Sequence, residues 1–542
     1  MTEEVEYYTE RLDHLGIVAG ICDEIGLVEQ IDSMVPAPRR QVTIGQAVKA
    51  MVINALGFVS RPLYLTPEFF ANKPVGLLVG PGITAEMLND DSLGRALDAL
   101  FEAGLTEVFA RMASRALRQY GIPHRFIHVD TSSFHLHGKY EGEEEVGVIK
   151  VTRGYSRDHR PDLKQVVVGL LTTYRSALPT WINALNGNAA DVKTLPALVK
   201  AYTQQLREGD VPYFVADSAL YSEENLAVLE EVKWVTRVPA RVGLVKELEV
   251  AIPEGQMQES ALSGYRFQEM CITYGGVRQR WVVVHSQAAE KRESESLEKR
   301  ISLEAKKIER EMRRLAKEEF ASEEAARKAV ARSGQRWKMH SVEFTCKSVP
   351  HYGRRGRPAR DAEPAWVGWR IETWQIRQNE EAVEAARARC GKFVLATNEL
   401  DDAALPAEEI LRAYKGQGIG PERGFRFLKD PMFFADSIFL KSPRRIMALI
   451  MVMGLALLIY ALAEYKLRRA LEERDETLPN QVGKPTKRLT MRRVFQMFEG
   501  IDVLVIHTST TVERRITNLS DLHRRILCLL GPSVEKCYLG PG

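Results

Sequence analysis

The sequence predicts an α/β protein in which a mixed sheet with helices on its faces follows an all-helical segment and is interrupted by an α+β insertion. Three observations carry that reading. Apolar residues recur at three- and four-residue spacing through the first 120 residues and then alternate over Arg125–Asp130. From 121 to 240 the chain reads as three strands, helix, strand, helix, strand, an order that suits a mixed sheet. Between 241 and 391 charged runs take over, after which apolar strand and helix patterns return.

Residues 1–120 carry helical patterns at Leu12–Ile31, Thr43–Leu56 and Ser92–Tyr120, the last capped by Asp91 or Ser92. They form a candidate DNA-end-binding or dimerisation domain. Residues 121–240 open with Arg125–Asp130, where alternation puts Phe126, His128 and Asp130 on one face and Ile127 and Val129 on the other. Gln165–Thr172 is a near-continuous apolar strand of the kind buried on both faces, and Trp181–Leu185 is a third strand. Asp191–Leu206 then reads as a helix, Pro212–Ala216 as a strand ending at Asp217, Ser222–Glu231 as a capped helix and Trp234–Val238 as a strand.

In the insertion, 241–391, the strand-like runs are Tyr265–Thr273, Arg280–His285 and Trp366–Gln378, and Ala288–Arg332 is a long solvated helix or helical hairpin. Tyr352–Arg360 is a basic loop, and the neighbouring tryptophans suit the core of a small β module. Residues 392–470 return with the strand Lys392–Asn398, the helix Ala407–Lys415 and the apolar run Ile446–Ala463. Residues 471–542 are a basic C-terminal region. Within it Lys484–Arg493 holds five basic residues and no acid, and reads as a phosphate contact or a solvated linker.

Composition narrows the function classes. A net charge of +3, from 75 basic and 72 acidic residues, excludes a uniformly cationic protein, so a nucleic-acid surface must be local. Six cysteines lie far apart with no C-x-x-C pair, which points to reduced cytosolic thiols rather than zinc or disulfides. The acidic, non-apolar N-terminus predicts no signal peptide and a cytoplasmic protein. Ile446–Ala463 is long enough to raise a membrane span, but it is solitary and contains Gly454, so a helix buried on all sides and no membrane contact are expected. The pairs His124/His128 and His135/His137 lack further zinc ligands, and Glu141–Glu145 reads as a hairpin loop. No phosphate-binding glycine loop or serine-hydrolase elbow is present.

The stretch Tyr414–Lys429 carries the chemistry. Gly416, Gly418 and Gly420 end the Tyr414 helix, and Pro421 suits the first turn of a new one, so Glu422 opens a helix. Glu422, Arg426 and Lys429 then share one face while Phe425 and Leu428 share another suited to a core. A carboxylate and two cations on one stripe are satisfied together by a metal ion and phosphate oxygens. Asp130 and Asp217, each expected to close an apolar strand, complete a candidate three-carboxylate site. Such a donor set suits hard Mg²⁺ or Mn²⁺, and two such ions support phosphoryl transfer.

These residues resemble the DDE transposases of bacterial insertion sequences, specifically the insertion-sequence-four superfamily with its tyrosine, arginine, glutamate, lysine signature. The resemblance rests on Gln46–Met51, Arg61–Phe70, Val129–Phe134, Gly154–Asp162, Val215–Tyr221 and Glu422–Lys429, so it spans nearly the whole chain. It implies a ribonuclease H-like catalytic core in which Asp130, Asp217 and Glu422 bind two Mg²⁺ or Mn²⁺ ions. Tyr414 and Lys429 would be the signature tyrosine and lysine. Gln417 stands where the signature arginine is expected and the tyrosine-to-glutamate spacing is one residue longer, so Arg423 or Arg426 would supply the missing phosphate contact. The resemblance further implies double-stranded DNA with terminal inverted repeats and target DNA as partners, a homodimer on DNA, and a bacterial, nucleoid-associated location. The alternative is a catalytically inactive or domesticated DNA-binding protein of the same fold.

Overall fold

Alternating and continuous apolar runs pair as the pleat requires, and they build one large sheet. The computed structural model describes residues 6–36, 40–58, 62–140, 145–156, 160–206, 209–353, 363–418, 420–430, 440–508 and 510–540. An N-terminal strand β1 (Glu6–Arg11) precedes the helices, and it pairs antiparallel with the C-terminal strand Asp502–His507. The first 120 residues are therefore not all helical, because the pairing partner of β1 lies at the other end of the chain.

The sheet begins with β2 (Phe126–Leu136), β3 (Lys164–Thr173) and β4 (Pro179–Leu185), joined antiparallel, followed by β5 (Tyr213–Ala216) and β6 (Trp234–Arg237). β5 lies parallel to β2, and β6 parallel to β5. Next come β7 (Gln258–Glu259), β8 (Tyr265–Tyr274) and β9 (Val277–Ser286), then a ribbon of β10 (His340–His351) and β11 (Trp366–Gln378), and finally β12 (Lys392–Thr397). The nine sheet strands run β4-β3-β2-β5-β6-β12-β9-β8-β7.

Three expectations shift. The strand-like runs after residue 241 belong to the main sheet, because β9 inserts Trp281–Val284, fully buried, beside β12. The protruding unit begins only with the helix Gln287–Leu315 and contains the helix Glu323–Gly334 and the β10–β11 ribbon. The long N-terminal helical patterns are broken by glycines at positive φ, Gly26 at 64° and Gly104 at 91°. Asn89, rather than Asp91 or Ser92, caps the helix Asp90–Ala103 by accepting from the Ser92 N–H at 3.0 Å. The basic loop falls largely, and the acidic run mostly, outside the described residues.

Packing follows the strand faces. Ile127 and Val129 join the core beneath the helix Asp191–Thr203, whereas Phe126 joins Val215, Ile410 and Leu411 on the opposite face. The helix Pro443–Glu473, which contains the apolar run, lies inside a third core with the N-terminal and C-terminal helices, and 94% of its most apolar window is buried. Gly454 lets it approach β4, since a Cβ there would sit 2.7 Å from Ile182.

Candidate functional site

Strand register sets two of the three carboxylates side by side. β2 and β5 pair His128 with Val215, and β5 and β6 pair Ala216 with Thr236. Continuing both ladders places Asp130, Asp217 and Arg237 at one level on neighbouring parallel strands, which lie about 4.8 Å apart. Asp130 is not at a strand end as the sequence suggested. β2 runs on to Leu136 because antiparallel β3 pairs with it throughout, while parallel β5 stops at Ala216, so Asp130 is mid-strand toward β3 and at an edge toward β5.

Asp130 is half-buried and accepts the Thr131 N–H at 2.7 Å. Asp217 is exposed, accepts the Ala219 N–H at 2.8 Å in a turn, and is tied through its backbone carbonyl to the Thr236 hydroxyl at 2.7 Å. It is thus a turn residue one position beyond β5.

The third carboxylate arrives on the face of β2 that bears His128 and Asp130. His128 is fully buried, and its Nε2 lies 2.8 Å from the Ala413 carbonyl, so that nitrogen carries the proton. Burial pulls this imidazole down to about 4, with the Ala413 bond opposing. The glycine turn rests directly on it. A Cβ at Gly416 would meet the Tyr174 ring at 2.5 Å, and one at Gly420 would meet Thr172 Oγ1 at 2.7 Å and His128 Nδ1 at 3.1 Å. The helix Pro421–Leu428 then lies along β2, with the Phe425 ring 6.4 Å from that of Phe134 and Lys429 Nζ 5.5 Å from the Phe134 ring. Glu422 and Arg426 are exposed on it, and Phe425 and Leu428 are buried.

Tyr414 lies near two of the three acids. Burial raises its phenol above the ordinary range, the Arg237 charge opposes, and the Asp217 and Glu422 carboxylates add to the rise, so both acids lie within electrostatic reach of one hydroxyl. The Arg237 guanidinium lies over the Phe393 ring at 5.3 Å. Sequence reasoning missed Arg237. Its signal was a cation closing a strand one position along the sheet from Asp217, which needs the strand register to be seen.

The other predicted cations differ in placement. Arg423 is committed to Glu464, with Nη1–Oε1 and Nη2–Oε2 both at 2.6 Å. In Lys484–Arg493, Lys487 pairs with Asp475 and Arg492 with Asp430, so part of that run is structural. The donor set is three carboxylates without histidine or cysteine, a fit to hard Mg²⁺ or Mn²⁺. Among the described residues the group of three whose ligand atoms lie within 4.8 Å of one another is Glu254, His285 and Glu290, where Arg266 pairs with Glu254 at 3.2 Å; Asp130, Asp217 and Glu422 are not drawn that close together.

Two stretches of the chain match known protein families. Residues 7–114 match a domain of unknown function (DUF4277), and residues 122–459 match the transposase DDE domain. No curated protein matches the chain. Among solved structures, a piggyBac transposase synaptic complex with hairpin DNA is 10% identical over 91% of this chain and 82% of its own, with a TM-score of 0.37. A Mos1 transposase paired-end complex with left transposon end is 11% identical over 37% of this chain and 59% of its own, with a TM-score of 0.15. The DDE match takes in Asp130, Asp217, Tyr414 and Glu422 and covers more than half of the sequence, and on it the chain belongs to the transposase DDE domain family.

Proposed function

We propose that this member of a DNA-cutting and joining family is an insertion-sequence transposase acting on the ends of its own element, with Asp130, Asp217 and Glu422 as its metal-binding carboxylates. The observation that carries the proposal is the alignment of Asp130 with Asp217 at the carboxyl edge of parallel strands, with the Asp217 and Glu422 charges both acting on the Tyr414 hydroxyl. The sheet order β4-β3-β2-β5-β6, with the first three strands antiparallel and the next two parallel, supports a ribonuclease H-like core. Tyr414, Glu422 and Lys429 support the insertion-sequence-four group.

Two Mg²⁺ or Mn²⁺ ions held by these carboxylates would supply charge neutralisation and a polarised nucleophile. The protein's part is positioning. The sheet fixes the Asp130–Asp217 spacing, the glycine turn sets Glu422 against it, and Arg426 and Lys429 on the Glu422 helix orient phosphates. Water would attack phosphorus at the element end and release a 3′-hydroxyl, which would then attack a second phosphodiester on the other strand or the target. Arg237, whose charge acts on the Tyr414 hydroxyl, stands in for the arginine that Gln417 replaces. Arg423 acts instead through Glu464. A homodimer on paired ends and a cytoplasmic site of action belong to the same reading.

Gln417 and the extra residue before Glu422 favour a second reading, a DNA-binding copy without activity. Divalent-metal-dependent cleavage of a labelled duplex carrying the element's own end separates the two. Wild type should cut and Glu422→Gln should not. Binding without cleavage by either would establish the second reading.

A further inference from the structure

Glu464 is 4% exposed, a carboxylate at the end of an otherwise apolar helical run. A buried charge of this kind contributes little net stability, and well-packed apolar residues often serve as well. Its geometry suggests why it is there. Both oxygens receive the Arg423 guanidinium at 2.6 Å, Oε1 also meets Arg468 at 2.8 Å, and Oε2 accepts the Met491 N–H at 3.2 Å. One turn earlier, the Tyr460 hydroxyl accepts the Arg492 N–H at 3.0 Å. The Arg492 side chain in turn pairs with Asp430 at 2.7 Å. The Glu422 helix is thus fastened near its start through Arg423 and just past its end through Asp430, to the long helix and to the segment after it.

We infer that Glu464 is a positioning residue for Glu422, acting through the Arg423 fork. Successive helical residues are turned by about 100°. Fixing Arg423 toward the long helix therefore fixes the direction in which Glu422 leaves the helix, toward the sheet edge. A two-point fork resists rotation in a way that a lysine's single ammonium does not. An eight-residue helix has little stability of its own, so its rotational setting must come from such contacts. The inference rests on the reading of Glu422 as a metal ligand.

The test uses the full chain with Mn²⁺ as the probe. Binding is followed by the electron paramagnetic resonance signal of free Mn²⁺, cleavage by its Mn²⁺ dependence, and folding by the thermal midpoint. Arg423→Lys and Glu464→Gln should weaken Mn²⁺ binding and raise the half-saturating concentration by about 10–100-fold, the range for supporting residues behind metal ligands. Binding of the end duplex should be unchanged. If Glu464→Gln does not fold, Arg423→Lys, which keeps the charge, decides. Loss of thermal midpoint with wild-type Mn²⁺ binding in Arg423→Lys would reduce the pair to a structural role and overturn the inference. Glu422→Gln is the control. If it binds Mn²⁺ as wild type does, the reading of Glu422 itself fails and the inference falls with it. If it loses binding while Arg423→Lys does not, only the positioning role fails.

Discussion

Replacing Gly420 by alanine should damage both stability and cleavage, by an amount set by its contacts. The added Cβ would lie 2.7 Å from Thr172 Oγ1 and 3.1 Å from His128 Nδ1, whereas ordinary contact begins at 3.4 Å. Neither neighbour can yield easily. Both are fully buried on paired strands, and His128 is held by the Ala413 carbonyl. The turn must therefore lift from β2 and β3, an overpacking cost of about 1–3 kcal/mol. Because Glu422 follows two residues later, a lift approaching ~1 Å would reduce cleavage by about a hundredfold. Gly418→Ala is the internal control, since its Cβ would meet only Glu422 Oε2 at 3.4 Å and should cost less than about 0.5 kcal/mol. Urea unfolding and metal-dependent cleavage, run on both variants, check this. If Gly420→Ala matched Gly418→Ala in both assays, the turn would not press on the strands as described.

Arg237→Ala should lower cleavage by about a hundredfold, the scale of losing one preorganised donor, with Arg237→Lys intermediate and the thermal midpoint little changed. Single-turnover cleavage at saturating DNA measures it. Stability should fall as pH drops from about 6.5 toward 4, because burial holds His14 and His128 down at about 4 while the unfolded chain takes up protons near 6.5. The contribution is present above the unfolded value and lost below it, on the order of 3 kcal/mol per histidine, and His128→Gln should flatten the profile of urea midpoint against pH. Gly454→Ala should destabilise by about 1–3 kcal/mol, since its Cβ would meet Ile182 at 2.7 Å and Phe109 at 3.0 Å, and thermal unfolding reads it.

Local patterns made the first half of the sheet legible. The order of β2 to β6 and its intervening helices follows from alternation, apolar runs and caps, all encoded within a few residues. Proline and glycine likewise marked where the Glu422 helix starts. What stayed hidden depends on pairing at a distance. β8 and β9 looked like part of an insertion because nothing within them says that β12, about a hundred residues later, will be their neighbour. Asp130 looked like a strand end because its two neighbours differ in length, and Arg237 joins the cluster only through register. Glu464 follows the apolar run directly, and its partner Arg423 sits on a different element, which the run itself does not show.

The origin of each acid shows what the site's precision depends on. Asp130 and Asp217 are carried by adjacent paired strands, so their separation is a property of the sheet and tolerates change elsewhere. Glu422 has no such support. It stands on a short helix after a glycine-rich turn, and its place is determined by what lies behind it: His128 and Thr172 under Gly420, Leu170 at 2.8 Å from a Cβ on Gly424, and Glu464 under Arg423. Glu464 sits on the long apolar helix, which closes the core against β4, and a Cβ on Gly424 would also meet Leu457 of that helix at 3.2 Å. Its hydrophobicity is that of a back wall, buried on both the sheet side and the terminal-helix side. Substitutions in that wall should therefore reach catalysis through Glu422 alone, leaving the two aspartates in place, and a loss of activity from the core should carry the signature of one displaced ligand rather than of a disordered site.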